Sequence, residues 1–236
     1  MNLVTEVRAS YDQLATAQKP GGGVPFYMRA VNRRLGRAIA AVAARLGATP
    51  DQMTAMSGLL FALGMAVLVA FAPSVPVAVA VTVLLQLAFA FDSADGQLAR
   101  LTGRGSVAGE WLDHVVDAAR LLALHIGVAV CLALHTDVDA AWLLLPLGFA
   151  GVASVRFFAQ ILAEQLDRST AAPSPAPGRG WLQTPADAGV INLVFLLWPW
   201  TPVFLAVYAA LAAANLVLLM ATLQRKHRAL RNGESA

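Results

Sequence analysis

Long apolar runs separated by short polar breaks dominate the chain. Six runs have the composition of membrane-spanning helices: Thr54–Ala72, Val75–Ala90, Asp113–Leu134, Ala141–Ala163, Ala188–Trp200 and Val203–Leu223. A hydrocarbon core of about 30 Å needs about 20 apolar residues in a helix, and only Ala188–Trp200 falls well short of that length. The pattern therefore predicts an all-α, polytopic membrane protein with six transmembrane helices.

A different pattern precedes the first run. In Val24–Leu46, apolar residues recur at helical spacing and arginines occupy the remaining face. This predicts an N-terminal amphipathic helix in the membrane interface, attracted to anionic lipid or to an anionic substrate head group. The alternative is that it is simply the basic flank of the first span. The expected domains are 1–53 as an N-terminal segment, 54–224 as the six-helix transmembrane domain and 225–236 as a basic tail.

Composition and charge support the membrane class and set its topology. The chain is 58% hydrophobic and 13% charged, about half the charged fraction of a soluble domain. The breaks Pro73–Pro76, His135–Ala140 and Trp200–Pro202 contain no Lys or Arg. Because basic residues favour the cytoplasmic side, both termini should be cytoplasmic, and we expect the bacterial inner (plasma) membrane. No nucleic acid is expected among the partners.

Four aspartates stand out between the second and third runs. Asp92, Asp95, Gly96 and Ala99 fall within an arc of about 100° on one helix. Asp113 and Asp117 share a face of the next helix. The intervening LTGRGSVAG predicts a tight turn between them. Since consecutive helices are antiparallel, the two carboxylate pairs should face each other at the cytoplasmic membrane boundary.

Four close carboxylates repel one another and require protons or cations. A site built from oxygens suits Mg²⁺ or Mn²⁺, and two such ions about 3.5–4 Å apart serve phosphate-ester chemistry. Gly96, Ala99 and Gly109 would leave room for a substrate, while Arg100 and Arg104 would meet its negative charge. These residues indicate metal-dependent transfer or cleavage of a phosphate ester at the membrane surface.

Two alternatives compete with this interpretation. Aspartates near the ends of spans also serve as interfacial anchors or helix-end charges. A transporter or ion-translocating protein would use carboxylates within the membrane, but it would place them near the middle of a span. The location of these aspartates at one end of their helices favours the enzyme.

The spacing of these residues resembles the CDP-alcohol phosphotransferase (CDP-alcohol phosphatidyltransferase) family. The family pattern is D-x2-D-G-x2-A-R-x8-G-x3-D-x3-D, and each fixed position is filled here: Asp92, Asp95, Gly96, Ala99, Arg100, Gly109, Asp113 and Asp117. A second element, similar to Pro-Asn-x-x-Thr, opens the first span at Pro50–Thr54. Asp51 stands there in place of the usual Asn.

The resemblance implies an activity and a set of roles. A CDP-linked lipid, typically CDP-diacylglycerol, would bind two divalent cations, Mg²⁺ or Mn²⁺, through its pyrophosphate. An acceptor alcohol would attack the phosphorus attached to the lipid, with Asp117 as general base and CMP as leaving group. The phosphotransferase would then serve phospholipid biosynthesis, as a homodimer. The implied metal ligands are Asp92, Asp95, Asp113 and Asp117. The implied CDP-binding residues are Gly96, Ala99, Arg100, Gly109, Asp51, Thr54 and Arg104.

Arg156 and Arg120 are the candidates for binding the acceptor. An arginine in an apolar run is usually functional or paired with a carboxylate. A phosphorylated acceptor could form bidentate hydrogen bonds with the Arg156 guanidinium. The alternatives for Arg156 are a snorkelling side chain or a pair with Glu164. For Arg120, a salt bridge with a site carboxylate is favoured over acceptor contact. Ala118 follows Asp117 where phosphatidylinositol-phosphate synthases commonly carry Arg, so glycerol phosphate, inositol or its phosphate, and other polar alcohols all stay open.

Three further polar residues are expected to have structural roles. His114 should point away from the aspartates, since it is the next residue along the helix. His125 should be a satisfied polar packing residue within the third span. Asp187 should cap the fifth helix.

Overall fold

The computed structural model describes residues 3–16, 24–166 and 180–233, so the N-terminal segment and the basic tail are described in part. Within these ranges the chain is helical and contains no strand. The α-helices are α1 (Leu3–Thr16), α2 (Arg33–Arg45), α3 (Pro50–Ala70), α4 (Val75–Thr102), α5 (Val107–His135), α6 (Leu144–Leu166), α7 (Ala188–Val194) and α8 (Thr201–Gly233). A π-helical segment, Met28–Asn32, precedes α2, and 3₁₀ segments lie at Ala140–Leu143, Gly180–Ala186 and Phe195–Leu197.

Local sequence signals define the helix ends nearest the aspartates. Thr49 and Gln52 form a reciprocal capping box at the start of α3. At the end of α4, Gly103 adopts a positive φ of 66°, which glycine reaches without steric cost. Ser106 then caps α5 by accepting a hydrogen bond from the Gly109 amide. The tight turn expected between the two aspartate-bearing helices is therefore confirmed.

Five helices are long and apolar enough to cross a membrane within the described part of the chain: α3, α4, α5, α6 with its preceding 3₁₀ turn, and α8. Their outward faces are apolar too. Leu59 and Leu63 on α3, and Val79, Val83 and Leu87 on α4, are exposed at helical spacing. Such rows cost free energy in water and are stable against lipid tails. The chain is an integral membrane protein.

The helix at the predicted fifth span is shorter than the apolar run Ala188–Trp200 that predicted it. Helix α7 and the 3₁₀ turn after it form one short apolar helix, Ala188–Leu197. At 1.5 Å per residue it covers roughly 15 Å, about half of a hydrocarbon core. It nevertheless runs from a cavity lined by Asn192 and Asp92 to one at the opposite end lined by Pro199 and His135. The sixth crossing stays a prediction.

Aromatic side chains from α5, α6, α8 and the turn that precedes α8 form the centre of the bundle. The His125 ring stacks on Phe149, with ring centroids 4.2 Å apart, and forms a hydrogen bond with the Tyr208 hydroxyl. Phe204 stacks on Tyr208 and packs edge-on against Trp198. All five rings are fully buried. His125 is thus a packing residue, as predicted. The expectation that its polar atoms are satisfied is wrong for Nε2, which is buried without a hydrogen-bond partner among the described residues. This core holds the helices together below the aspartates.

The N-terminal segment packs against the same end of the bundle as the aspartates. Helix α1, which the sequence pattern did not predict, places Leu14 in a buried cluster with residues of α2 and α4. Glu6 of α1 pairs with Arg45 of α2 at 3.1 Å. The segment predicted as one amphipathic helix consists of the π-helical turn and α2, whose buried side is made of Gly and Ala and whose exposed side includes Arg34 and Leu35. Its position in the interface stays a prediction.

Asp187 joins this N-terminal segment to α7. Its carboxylate, 2% exposed, accepts hydrogen bonds from the Gly189 amide at 3.0 Å and from the Met28 amide at 2.9 Å. Burial raises the pKa of Asp187, and the bonds from backbone amides partly offset that rise. The predicted helix cap is confirmed, with the additional bond to Met28. Close packing accompanies it, because a Cβ on Gly189 would lie 2.0 Å from the Tyr27 ring.

We expect Gly189→Ala to destabilise the protein by about 1–3 kcal/mol, because the rigid Tyr27 ring must move to admit the methyl group. The measurement is thermal unfolding of the purified protein in detergent. The control is Gly148→Ala on α6, where an added Cβ meets no atom within 4 Å. Equal melting temperatures for Gly189→Ala and the unsubstituted protein would contradict the proposed contact.

Candidate active site

Carboxylates from two adjacent helices converge at one end of the bundle. Oxygen atoms of Asp92 and Asp95 on α4 and of Asp113 on α5 lie within 4.8 Å of one another. A carboxylate oxygen of Asp117 also lies within 4.8 Å of a carboxylate oxygen of Asp113. The turn after Gly103 reverses the chain and brings the two pairs together, as expected for consecutive antiparallel helices.

The helix ends argue against a capping role for these aspartates. Helix α5 begins at Val107, so Asp113 lies in its second turn rather than its first. Helix α4 continues to Thr102, well past Asp95. Charge–dipole effects fall off within the terminal turn, so the helix dipole does not account for the cluster.

Asp95 is the most enclosed of the four carboxylates. It is 7% exposed and accepts a hydrogen bond from the Thr54 hydroxyl of α3 at 2.7 Å. Its other oxygen accepts from the Gly96 amide. Thr54, expected to bind CDP, therefore contacts a metal-ligand candidate, and α3 takes part in orienting the cluster.

Arg120 ties three helices together beside the cluster. Its guanidinium donates to Asp117 at 2.6 Å and also to Asp92, which gives the salt bridge expected from the sequence. The other terminal nitrogen donates to the Ser57 hydroxyl at 2.7 Å, and Ser57 donates to the Ala88 carbonyl at 2.6 Å. Two of the four carboxylates thus share one cation from the protein itself.

The residues expected to bind CDP surround the α4–α5 turn. A Cβ on Gly109 would lie 3.2 Å from a carboxylate oxygen of Asp51, so these two predicted residues are neighbours. Gly96 has room beside it, since the nearest atom to an added Cβ would be a guanidinium nitrogen of Arg100, at 3.6 Å. Ala99 is half-buried, and Arg100 and Arg104 are exposed. Small side chains and basic side chains thus lie together on the solvent side of the carboxylates.

Further basic charge lies next to this turn. Burial lowers the pKa of Arg33, and the positive charges of Arg100 and Arg29 lower it further. The Arg33 guanidinium is therefore close enough to Arg100 and to Arg29 to be repelled by each of them. A cluster of positive charge beside four carboxylates suits a ligand that carries negative charge.

A cavity of about 280 Å³ opens on the other side of Asp92 and Asp117. Its polar lining includes Asp92, Asp117, Arg120, Arg156, Asp187 and Asn192. Pro25 and Met28 of the N-terminal segment contribute to its wall, together with Phe157 of α6. The two candidate acceptor-binding arginines therefore lie in one cavity with the candidate base.

Arg156 has few partners within the part of the chain that the structure describes. Its terminal nitrogen reaches the Ala186 carbonyl at 3.5 Å, and its buried Nε has no hydrogen-bond partner there. Glu164, the alternative partner, instead accepts a hydrogen bond from Gln160 at 3.1 Å. The Arg156 guanidinium therefore lines the cavity, and its Nε donor is not used by the described residues.

Sequence reasoning was wrong about His114 and missed several supporting residues. One ring nitrogen of His114 lies within 4.8 Å of oxygens of Asp113 and Asp117, so the ring does not point away from the cluster. Ser57 and Phe157 were not singled out, because their contacts depend on how separate helices pack. A serine three residues after Thr54 on the same helix was the available signal for Ser57.

The comparison with protein-family models agrees with this geometry. Residues 47–223 match the model described as CDP-alcohol phosphatidyltransferase. A search of curated proteins gives no significant match to the chain. The matched range contains all four clustered aspartates and most of the cavity lining. The chain belongs to the CDP-alcohol phosphatidyltransferase family.

Proposed function

We propose that this protein transfers a phosphatidyl group from a CDP-linked lipid, such as CDP-diacylglycerol, to the hydroxyl of a polar alcohol and releases CMP. The observation that carries the proposal is the cluster of Asp92, Asp95 and Asp113 beside a cavity that also contains Asp117. Family membership supports the reaction class and argues against a transporter. The site lies at one end of the spans, where a lipid tail stays in hydrocarbon while its charged head is hydrated.

The donor set fits a pair of hard divalent cations, Mg²⁺ or Mn²⁺. Asp92, Asp95, Asp113 and Asp117 offer carboxylate oxygens, the ligand type these ions prefer. When bound, the cations would neutralise the pyrophosphate and stabilise the departing CMP. Arg120 neutralises part of the negative charge of the four carboxylates through its pairs with Asp92 and Asp117.

The protein's side chains supply the base, the CDP-binding surface and the orientation of the metal ligands. Asp117 lines the cavity proposed for the acceptor, so it would take the proton of the acceptor hydroxyl as that oxygen attacks the lipid-linked phosphorus. The bond between this phosphorus and the oxygen bridging to CMP breaks, and CMP carries that oxygen away. Arg100 and Arg104, with Asp51, Gly96, Ala99 and Gly109, would accommodate CDP at the α4–α5 turn. Thr54 orients Asp95 through its hydrogen bond.

The acceptor would occupy the cavity between Asp117 and Arg156. The buried Nε of the Arg156 guanidinium has no hydrogen-bond partner among the described residues, which favours an anionic group beside it, so we favour a phosphorylated acceptor such as glycerol phosphate or inositol phosphate. Arg120 would border this acceptor while remaining paired with Asp117.

The orientation follows from charge. Helix α2 packs on the end of α4 that carries the aspartates, and Asn215 of α8 donates to the Pro185 carbonyl beside the cavity at 2.8 Å. Both chain ends thus approach the site side. Since the basic residues concentrate there, we propose that the site and both termini are cytoplasmic, in the bacterial inner (plasma) membrane. The family resemblance implies a homodimer, and we propose that oligomeric state as well.

The direct test is incubation of purified protein with CDP-diacylglycerol, Mn²⁺ or Mg²⁺ and a panel of polar alcohols. We expect CMP release only with a divalent cation and an acceptor, with the new lipid identified by mass spectrometry. Glycerol phosphate, inositol phosphate and their unphosphorylated forms belong in the panel. Cation flux across proteoliposomes without CMP release would support the transporter instead.

We expect Asp117→Asn to lower kcat by about 10²–10⁴-fold, because the acceptor hydroxyl loses its base. Binding of the CDP-lipid should be largely retained, since the other three carboxylates would still hold the cations that bind its head group. Rates of CMP release and equilibrium binding are measured on the same preparation. Asp137→Asn, an exposed carboxylate at the opposite end, is the matched control. Full turnover in Asp117→Asn would refute the base assignment.

We expect Arg156→Ala to raise the KM of a phosphorylated acceptor by about 10- to 100-fold, the loss of a charge-assisted hydrogen bond or two. The KM for the CDP-lipid should change little. Initial rates at varied acceptor concentration measure both values. Arg225→Ala, an exposed arginine of α8, serves as the control. An unchanged acceptor KM would remove Arg156 from the acceptor site.

A further inference from the structure

The His114 ring lies where its nitrogen faces the acidic cluster. One ring nitrogen lies within 4.8 Å of carboxylate oxygens of both Asp113 and Asp117. The Nδ1 atom is buried and has no hydrogen-bond partner among the described residues. A buried ring nitrogen without a partner is costly unless another ligand satisfies it.

Packing against α6 accounts for the direction of the ring. His114 meets Phe157 edge to face, with centroids 6.3 Å apart and planes inclined at 73°. Phe157 lines the cavity that contains Asp117. His114 and Asp117 are also three residues apart on α5, so they are neighbours on the helix surface. The ring therefore lies between Asp117 on its own helix and a residue of α6 that lines the cavity.

The described residues contain two groups with the geometry to hold a metal ion, and they share Asp113. The first, with Asp92 and Asp95, consists of oxygens alone. The second, with His114 and Asp117, consists of two oxygens and one nitrogen. Arg120 engages Asp92 and Asp117, which leaves fewer free oxygen lone pairs for a second ion.

We propose that His114 is a nitrogen ligand of the second divalent cation, which shares Asp113 with the first. This inference rests on the proposed function, because that function requires the cations. Imidazole nitrogen favours Mn²⁺ and later first-row ions over Mg²⁺, which prefers oxygen ligands and retained water. The second position of this centre therefore selects Mn²⁺, whereas the all-oxygen position accepts either ion.

Pulsed electron paramagnetic resonance of the Mn²⁺-loaded full-length protein tests the inference directly. We expect electron spin-echo modulation from a coupled ¹⁴N nucleus, replaced by ¹⁵N modulation when the protein is labelled with ¹⁵N-histidine. His114→Gln should abolish that modulation and weaken Mn²⁺ binding at this position by at least about tenfold, the lower range for disturbed metal sites. The affinity for Mg²⁺ should fall less in His114→Gln than the affinity for Mn²⁺.

His227→Gln is the matched control, because His227 is exposed in the tail and far along α8 from the cavity. It should retain the nitrogen modulation and the Mn²⁺ affinity. If His114→Gln fails to fold, the ¹⁵N-histidine-labelled unsubstituted protein still shows whether a histidine nitrogen binds the Mn²⁺ ion. His125 is buried against Tyr208 and His135 lies at the opposite end, so a coupled histidine nitrogen identifies His114.

The outcomes separate this inference from the function on which it rests. Mn²⁺ that binds and supports CMP release without histidine modulation overturns the inference and leaves the proposed function intact. Modulation that persists in a folded His114→Gln protein also overturns it. Absence of any Mn²⁺ or Mg²⁺ binding, with no CMP release, contradicts the proposed function as well.

Discussion

Repulsion among four carboxylates is the constraint around which this end of the molecule is organised. Like charges within a few ångströms are unfavourable in a partly desolvated site, and the protein must compensate for them. Arg120 supplies one positive charge to Asp92 and Asp117. Thr54 supplies a hydrogen bond to Asp95. The compensation is incomplete, and a site with excess negative charge is suited to bind cations and, through them, an anionic lipid head group.

The same constraint explains why three helices meet at this point. Asp92 and Asp117 come from α4 and α5, but the bond that steadies Arg120 comes from Ser57 of α3. The Ser57 hydroxyl reaches the α4 backbone in turn. An uncompensated charge would push the helices apart, whereas this chain of hydrogen bonds fixes their spacing. Packing in the aromatic core below then keeps the remaining helices in register around the cavity.

The sequence predicts features that depend on neighbours along one helix and fails where distant helices meet. The facing aspartate pairs follow from i, i+3 and i, i+4 spacing and from a glycine-rich turn, so they were predictable. The direction of His114 depends on Phe157 of α6, which no local spacing reveals. The start of α7 after Asp187 was predicted, but its C-terminal end was placed too late, because an apolar run does not disclose that a 3₁₀ turn follows Val194. Helix α1 has no apolar run, and its packing rests on Leu14 and on the pair between Glu6 and Arg45.

The bond between Asp187 and the Met28 amide has a consequence for how selectivity could diverge among related enzymes. The family match begins at residue 47, yet Pro25 and Met28 form part of the cavity wall. The clustered carboxylates and this part of the cavity wall thus come from separate stretches of the sequence. Variation in the leading segment, anchored through one buried aspartate, would reshape the cavity proposed for the acceptor while the carboxylate cluster stays unaltered.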